Sequence, residues 1–180
     1  YNKMATEKLI KNYIEQNPDS PGLFIILDLD NFKNINDTMG HTFGDEVLHY
    51  LGMRLSSQFR VTDIVGRVGG DEFMIFLKNM KSPEDIETEA RKMSRFFNNF
   101  QVGEYTKFYA TASMGAAVSP KDAKTFEGLY KAADSALYKA KKNGKKQIPN
   151  INIHLYHTGI MYPDNTKFLQ VKEADLKIKI

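Results

Sequence analysis

The chain has 180 residues, enough for one domain with a sizeable core, and its 42% hydrophobic and 26% charged residues are ordinary for a globular protein. It contains no cysteine, which excludes disulfides and thiolate metal centres. The net charge of +3 gives no argument for nucleic-acid binding and suits a site that accepts phosphates.

Residues 4–16 carry Ala5, Leu9, Ile10, Tyr13 and Ile14 at helical spacing. Asn17-Pro18-Asp19-Ser20-Pro21-Gly22 stops that helix. Residues 23–29 read as a buried strand ending in Asp28-Leu29-Asp30. A short helix over 31–38 and a longer one over 43–59 follow, the second with Val47, Leu48, Leu51 and Leu55 as its apolar stripe. Residues 63–77 read as a β-hairpin turning at Gly69-Gly70. Pro83 suits the first turn of a helix through Ile86, Ala90, Met93 and Phe97. A strand over 108–118 contains Ser113-Met114-Gly115, and residues 126–142 form an amphipathic helix. Residues 151–156 suit a last strand, and 175–180 alternate like an edge strand or a linker. Helices interleaved with a few strands, two of them a hairpin, predict a mixed sheet flanked by helices, an α/β (α+β) fold.

No apolar run approaches the roughly 20 residues of a membrane span, and no signal peptide is visible. The first residue is Tyr1, so the chain reads as a piece of a longer protein, whose attachment to a membrane stays open.

Gly69-Gly70-Asp71-Glu72-Phe73 carries the chemistry. Glycine there allows positive φ and leaves no side chain in the way of a ligand. Two adjacent acids repel, and a hard divalent cation with oxygen ligands relieves them. Asp28, at the end of the first strand, joins them if the two strands are neighbours, whereas Asp30 is expected to be a helix cap. A pair of ions held this way suits nucleotidyl transfer. The start of the next helix, with Asn31, Phe32 and Lys33, offers backbone N–H groups and a point charge to phosphates. Asp45 can accept from both donors on the Watson–Crick edge of guanine, and Asn36 can add a contact. Taken singly, the hairpin acids also fit a solvated turn, Lys33 a solvated lysine, and Asn36 and Asp45 ordinary cap and turn residues.

Together these residues resemble the GGDEF family, the diguanylate cyclases. The family pattern D-x-D-x-F-K-x-I-N-D-x-x-G-H-x-x-G-D is matched by Asp28 to Asp45, and R-x-x-D by Arg60 to Asp63. R-x-G-G-D-E-F is matched by Arg67 to Phe73, S-x-G by Ser113 to Gly115, and A-D-x-A-L-Y-x-A-K-x-x-G-R by Ala133 to Lys145. The last motif departs at Lys145, which keeps the charge of the family's arginine but not its bidentate fork. Tyr1-Asn2-Lys3 is similar to the end of the family's L-T-G-L-x-N-R segment.

The resemblance implies a palm-like mixed sheet similar to the catalytic domains of class III nucleotide cyclases, with the GGDEF motif at a hairpin turn. It places a cyclase domain over residues 1–156 and an extension of unassigned role over 157–180. The implied reaction condenses two GTP into cyclic di-GMP and two pyrophosphates. Asp28, the Leu29 carbonyl and Asp71 would hold Mg²⁺ or Mn²⁺, two ions per half-site. Asp71 or Glu72 would help deprotonate the ribose 3′-hydroxyl. Asn31, Phe32 and Lys33 would hold the β and γ phosphates, and Lys141 and Lys145 would reach phosphates from the last helix. Asn36, His41 and Asp45 would hold guanosine. Arg60 and Asp63 would bind cyclic di-GMP as an inhibitor. The resemblance further implies a homodimer, a cytoplasmic site of action, and an N-terminal sensory or regulatory domain in the parent protein. A silent sensor of GTP or cyclic di-GMP is the alternative.

Overall fold

A computed structural model describes residues 1–98, 111–144 and 152–155. In chain order the elements are α1 (Lys3–Gln16), β1 (Gly22–Leu29), α2 (Phe32–Met39), α3 (His41–Gln58), β2 (Ile64–Arg67), β3 (Glu72–Lys78), α4 (Pro83–Asn98), β4 (Ala112–Ser119), α5 (Phe126–Gly144) and β5 (Asn152–Leu155). This is the order the sequence predicts, with boundaries moved by a few residues. The predicted strand over 108–118 begins at Ala112, and 108–110 lie outside the described residues, as does everything after 155.

Side-chain chemistry accounts for the ends. Asn2 caps α1 by accepting from the Ala5 N–H at 2.9 Å. Ahead of α4, Ser82 Oγ accepts from the Asp85 N–H and Asp85 Oδ2 accepts from the Ser82 N–H, a reciprocal box with Pro83 in the first turn.

The sheet runs β2-β3-β1-β4-β5, antiparallel except for the β4–β5 pair. The mixed sheet flanked by helices is therefore present. β1 is central and buried on both faces, as its unbroken apolar run predicts. Leu23, Leu27 and Leu29 face a core with Val47, Leu51 and Leu55 of α3 and Ile86 and Met93 of α4. Phe24 and Ile26 face the other core, with Ile10 and Ile14 of α1 and Leu129, Ala133 and Leu137 of α5. Fully burying each such side chain contributes roughly 1.5–3 kcal/mol. Leu23, Phe24, Ile26, Leu27 and Leu29 are all at most 2% exposed, so β1 is a firmly anchored base for the acid at its end.

Gly115 shows why β4 reads S-x-G. A Cβ there would run into the Ala133 carbonyl and the Leu137 backbone nitrogen. Only glycine lets α5 lie this close to the sheet, and that approach sets the height of every side chain on α5.

Candidate active site

The register assembles the acids. Asp28 on β1 stands opposite Glu72 on β3 and opposite Ser113 on β4, one row across three strands. Even-numbered β1 residues face α5, so this row lies on the α5 side of the sheet. Asp71 sits in the loop beside Glu72, and its carbonyl accepts from the Leu29 N–H at 3.3 Å. Asp28, Leu29, Asp71 and Glu72 are thus brought to one sheet end, as expected from the sequence.

Lys141 of α5 reaches down onto this row, with Nζ 2.8 Å from Asp28 Oδ1. The sequence reading sends Lys141 to phosphates; in this structure it pairs with the Asp28 carboxylate. Even so, burial holds the Asp28 carboxyl above its ordinary range, offset by Lys141 and reinforced by Asp71 and Asp30. Glu72 is also raised, first by burial, then by the charge of Asp28. Too much negative charge is packed here for one lysine to balance.

The hairpin turn differs from the expectation in one respect. The Val68 N–H donates to the Glu72 carbonyl at 2.9 Å, leaving Gly69, Gly70 and Asp71 as a three-residue loop. Among the described residues the glycine with positive φ is Gly40, not Gly69 or Gly70. Conformational freedom is therefore not what the Gly-Gly pair supplies here. Access is: a Cβ on Gly70 would meet nothing within 4 Å. The loop is held from below by Arg67, whose Nε donates to the Gly70 carbonyl at 2.9 Å.

Asp30 is not the helix cap expected of it. Asn31 holds the N-cap position of α2 at φ 55, in the left-handed region, with no capping side-chain bond. Asp30 accepts from Ser113 Oγ at 2.7 Å. The strand end is more tightly braced than a simple cap would make it. Beyond Asn31, Phe32 and Lys33 open α2, and Lys33 is exposed.

Asn36 lies where a Cβ on Gly44 would be, so Gly44 admits the Asn36 side chain between α2 and α3. His41 opens α3, and both His41 and Asp45 are exposed. A cavity of about 710 Å³ between α3 and β2 is lined by Asp45, Leu48, His49, Gly52, Arg67 and Phe73 among others. Asp45 and the arginine that braces the Gly-Gly loop therefore face one space. Lys145 lies outside the described residues.

Arg60 and Asp63 sit apart, in the α3–β2 connection. Asp63 Oδ2 accepts from the Arg60 N–H and Oδ1 from the Lys78 N–H, each at 3.0 Å. The carboxylate expected to read a ligand is engaged with the backbone through both oxygens. The Arg60 residue is exposed.

A family profile described as "Diguanylate cyclase, GGDEF domain" matches residues 1–147. The chain belongs to the GGDEF family. Among similar proteins of Escherichia coli K12, the "Probable diguanylate cyclase DgcC" is 31% identical over 149 residues, 82% of this chain and 40% of that protein. The "Cyclic di-GMP phosphodiesterase PdeR" is 32% identical over 146 residues, 81% of this chain and 22% of that protein. The chain thus spans less than half the length of either relative. The GGDEF domain of YfiN from Pseudomonas aeruginosa superposes with a TM-score of 0.77 at 27% identity, covering 88% of this chain and 98% of that one. The active GGEEF domain of a diguanylate cyclase from Vibrio cholerae gives 0.75 at 28% identity, covering 88% and 98%. The palm-like GGDEF fold is therefore established. Among the described residues no helix is long and apolar enough to cross a membrane.

Sequence reasoning missed three contacts of this GGDEF domain: Lys141 on Asp28, Ser113 on Asp30, and Arg67 under Gly70. The first two join elements over 80 residues apart, and only the S-x-G spacing in a strand hinted at either. The third is local, and the motif's own arginine two positions before the glycines was the available signal.

Proposed function

We propose that this domain is a diguanylate cyclase, condensing two GTP into cyclic di-GMP across a pair of domains. The observation that carries this reading is the row of acids at one sheet end, with Asp28 and Glu72 in register, Asp71 beside them and Lys141 on Asp28.

The donor set fits a hard divalent cation. Asp28 and Asp71 offer carboxylates and Leu29 a carbonyl, all oxygen ligands at one strand end. Mg²⁺ or Mn²⁺ would be held by one or two of these carboxylates and completed by substrate phosphates. Bound there, two such ions would lower the pKa of the attacking hydroxyl and stabilise the departing pyrophosphate.

The protein's own residues do the rest. Asp71 or Glu72 takes the proton from the ribose 3′-hydroxyl; burial and the charge of Asp28 raise the Glu72 carboxyl, which strengthens it as a base. Each 3′-oxygen then forms a bond to the α-phosphorus of the facing GTP, and pyrophosphate leaves. The N–H groups of Asn31, Phe32 and Lys33, with the Lys33 ammonium, hold the β and γ phosphates. Asp45 accepts from the two guanine donors, assisted by Asn36 and His41. Adenine presents an acceptor at N1 where guanine has a donor, so it cannot satisfy that carboxylate in the same way, and GTP is preferred over ATP. One domain binds one GTP, so turnover requires a two-fold dimer. Cyclic di-GMP bound at Arg60 would inhibit.

The test incubates the domain with GTP and Mg²⁺ and identifies the product by mass spectrometry, with ATP as competitor and Asp71→Ala as control. Cyclic di-GMP from wild type alone, undiminished by ATP, is expected. Equal product from Asp71→Ala overturns the site. The second reading, a silent sensor, is favoured by the likeness to a protein named as a phosphodiesterase. It predicts GTP binding without product.

A further inference from the structure

The reaction proposed above uses neither Ser113 nor Asp30, yet the two share a hydrogen bond of 2.7 Å from Ser113 Oγ to Asp30 Oδ1. Ser113 is 3% exposed, so its hydroxyl has little recourse to water and depends on this acceptor. The carboxylate makes the bond charge-assisted, which fits its short length. Asp30 is tied to the same region a second time, because its backbone N–H donates to the Thr111 carbonyl at 2.9 Å. Main chain and side chain together fasten Asp30 to the leading end of β4.

The segment directly after Asp30 is the part of the chain that must be placed accurately. Asn31 is held at φ 55, a conformation asparagine tolerates better than most residues but does not adopt freely. Its carbonyl closes the first turn of α2 by accepting from the Asn34 and Ile35 N–H groups at 2.9 and 3.3 Å. The first N–H groups of a helix have no partner within it, and their direction is set by the residue that starts the turn. Ser113 also stands in register with Asp28, so the hydroxyl that fastens the turn sits beside the acid row.

We propose that the Ser113–Asp30 hydrogen bond is a positioning clamp for the triphosphate. It fastens the β1–α2 turn to β4, so that the first amides of α2 and Lys33 are aimed at the β and γ phosphates, while neither clamp residue touches the nucleotide. The inference rests on the reading of residues 31–33 as the triphosphate holder. Breaking the clamp therefore weakens a ligand that carries β and γ phosphates and spares one that lacks them. A purely structural bond would affect both alike or neither.

The test compares the binding of 3′-deoxyGTP, which lacks the attacking hydroxyl, with that of GMP by calorimetry in Mg²⁺. Ser113→Ala and Asp30→Ala should each lose about tenfold in affinity for the triphosphate, the size of one such hydrogen bond, with GMP unchanged. Asp30→Asn, which keeps an acceptor oxygen, should stay close to wild type. The double variant Ser113→Ala/Asp30→Ala should lose no more than either single one, because both remove the same bond. Asp30 is at a half-buried turn, so Asp30→Ala carries the test should Ser113→Ala fail to fold. Unchanged triphosphate affinity in folded variants, or an equal loss for both ligands, overturns the clamp. So does a wild-type domain that prefers neither ligand. A wild type that binds the triphosphate more tightly but makes no cyclic di-GMP from GTP removes the cyclase reading and leaves the clamp in place.

Discussion

Lys141 Nζ lies 2.8 Å from Asp28 Oδ1, an ion pair that joins the last turn of α5 to the end of the central strand. The lysine occupies the carboxylate that a divalent cation would also use. Asp28 cannot serve both fully, so a metal bound there would compete with the lysine. In a cyclase cycle the metal-nucleotide complex would free Lys141 for a phosphate. We expect Lys141→Met to bind Mn²⁺ without nucleotide about tenfold more tightly, the equivalent of about 1.4 kcal/mol, and to bind the metal–GTP complex more weakly. Manganese titration followed by electron paramagnetic resonance, alone and with 3′-deoxyGTP, checks both. Tighter metal binding with unchanged nucleotide affinity would leave Lys141 as a counter-ion only.

The raised carboxyl of Glu72 makes a prediction about stability and pH. Its ordinary value is 4.5, and burial and Asp28 lift it in the folded state. The folded protein then holds the proton more tightly than the unfolded chain. Stability falls as pH rises from 4.5 through the higher folded value, and the penalty is complete above it. Glu72→Gln removes a charge that the fold disfavours. Its Tm should exceed wild type at pH 7, with the difference shrinking as acidification passes through the raised folded value and largely gone below 4.5. Thermal melts from pH 4 to 8 without metal measure it, and a gain that persists undiminished in acid would rule out the electrostatic cause.

Gly115 should be intolerant of even one methyl group. The atoms a Cβ would meet are backbone, the Ala133 carbonyl and the Leu137 nitrogen, and neither can swing aside. Gly115→Ala forces α5 outward at a cost of about 1–3 kcal/mol, a Tm loss of roughly 2–4 °C per kcal/mol for a domain of this size. Because α5 carries Lys141, the same change should weaken metal–GTP binding. A variant with wild-type Tm would mean that α5 has room to spare above β4.

Arg60 and Asp63 should separate under mutation although they share one motif. Asp63 satisfies the Arg60 and Lys78 N–H groups, so Asp63→Ala leaves backbone donors unpaired and should destabilise by about 1–3 kcal/mol. Arg60→Ala, at an exposed position, should leave Tm within about 0.5 kcal/mol of wild type in equivalent stability while abolishing inhibition by cyclic di-GMP. Melting curves alongside initial rates with added product distinguish the two. Equal inhibition of wild type and Arg60→Ala would remove the product site.

The sequence by itself determined the order of elements and the family. A continuous apolar run marked β1 and a 3.6-residue stripe marked α3, because a strand buried on both faces and a half-buried helix demand different patterns. The motif from Asp28 to Asp45 and the Gly-Gly-acid-acid turn marked the family, since so many specific residue types in order rarely coincide. Tertiary structure alone decided which strands are neighbours, and therefore that Asp28 faces Glu72 and Ser113. It turned Asp30 from a cap into half of a clamp and engaged both oxygens of Asp63 with backbone donors. It set Lys141 on Asp28 from the far end of the chain. Local propensity acts over a few residues, whereas these contacts arise only when sheet register and the close approach of α5 at Gly115 bring distant segments together.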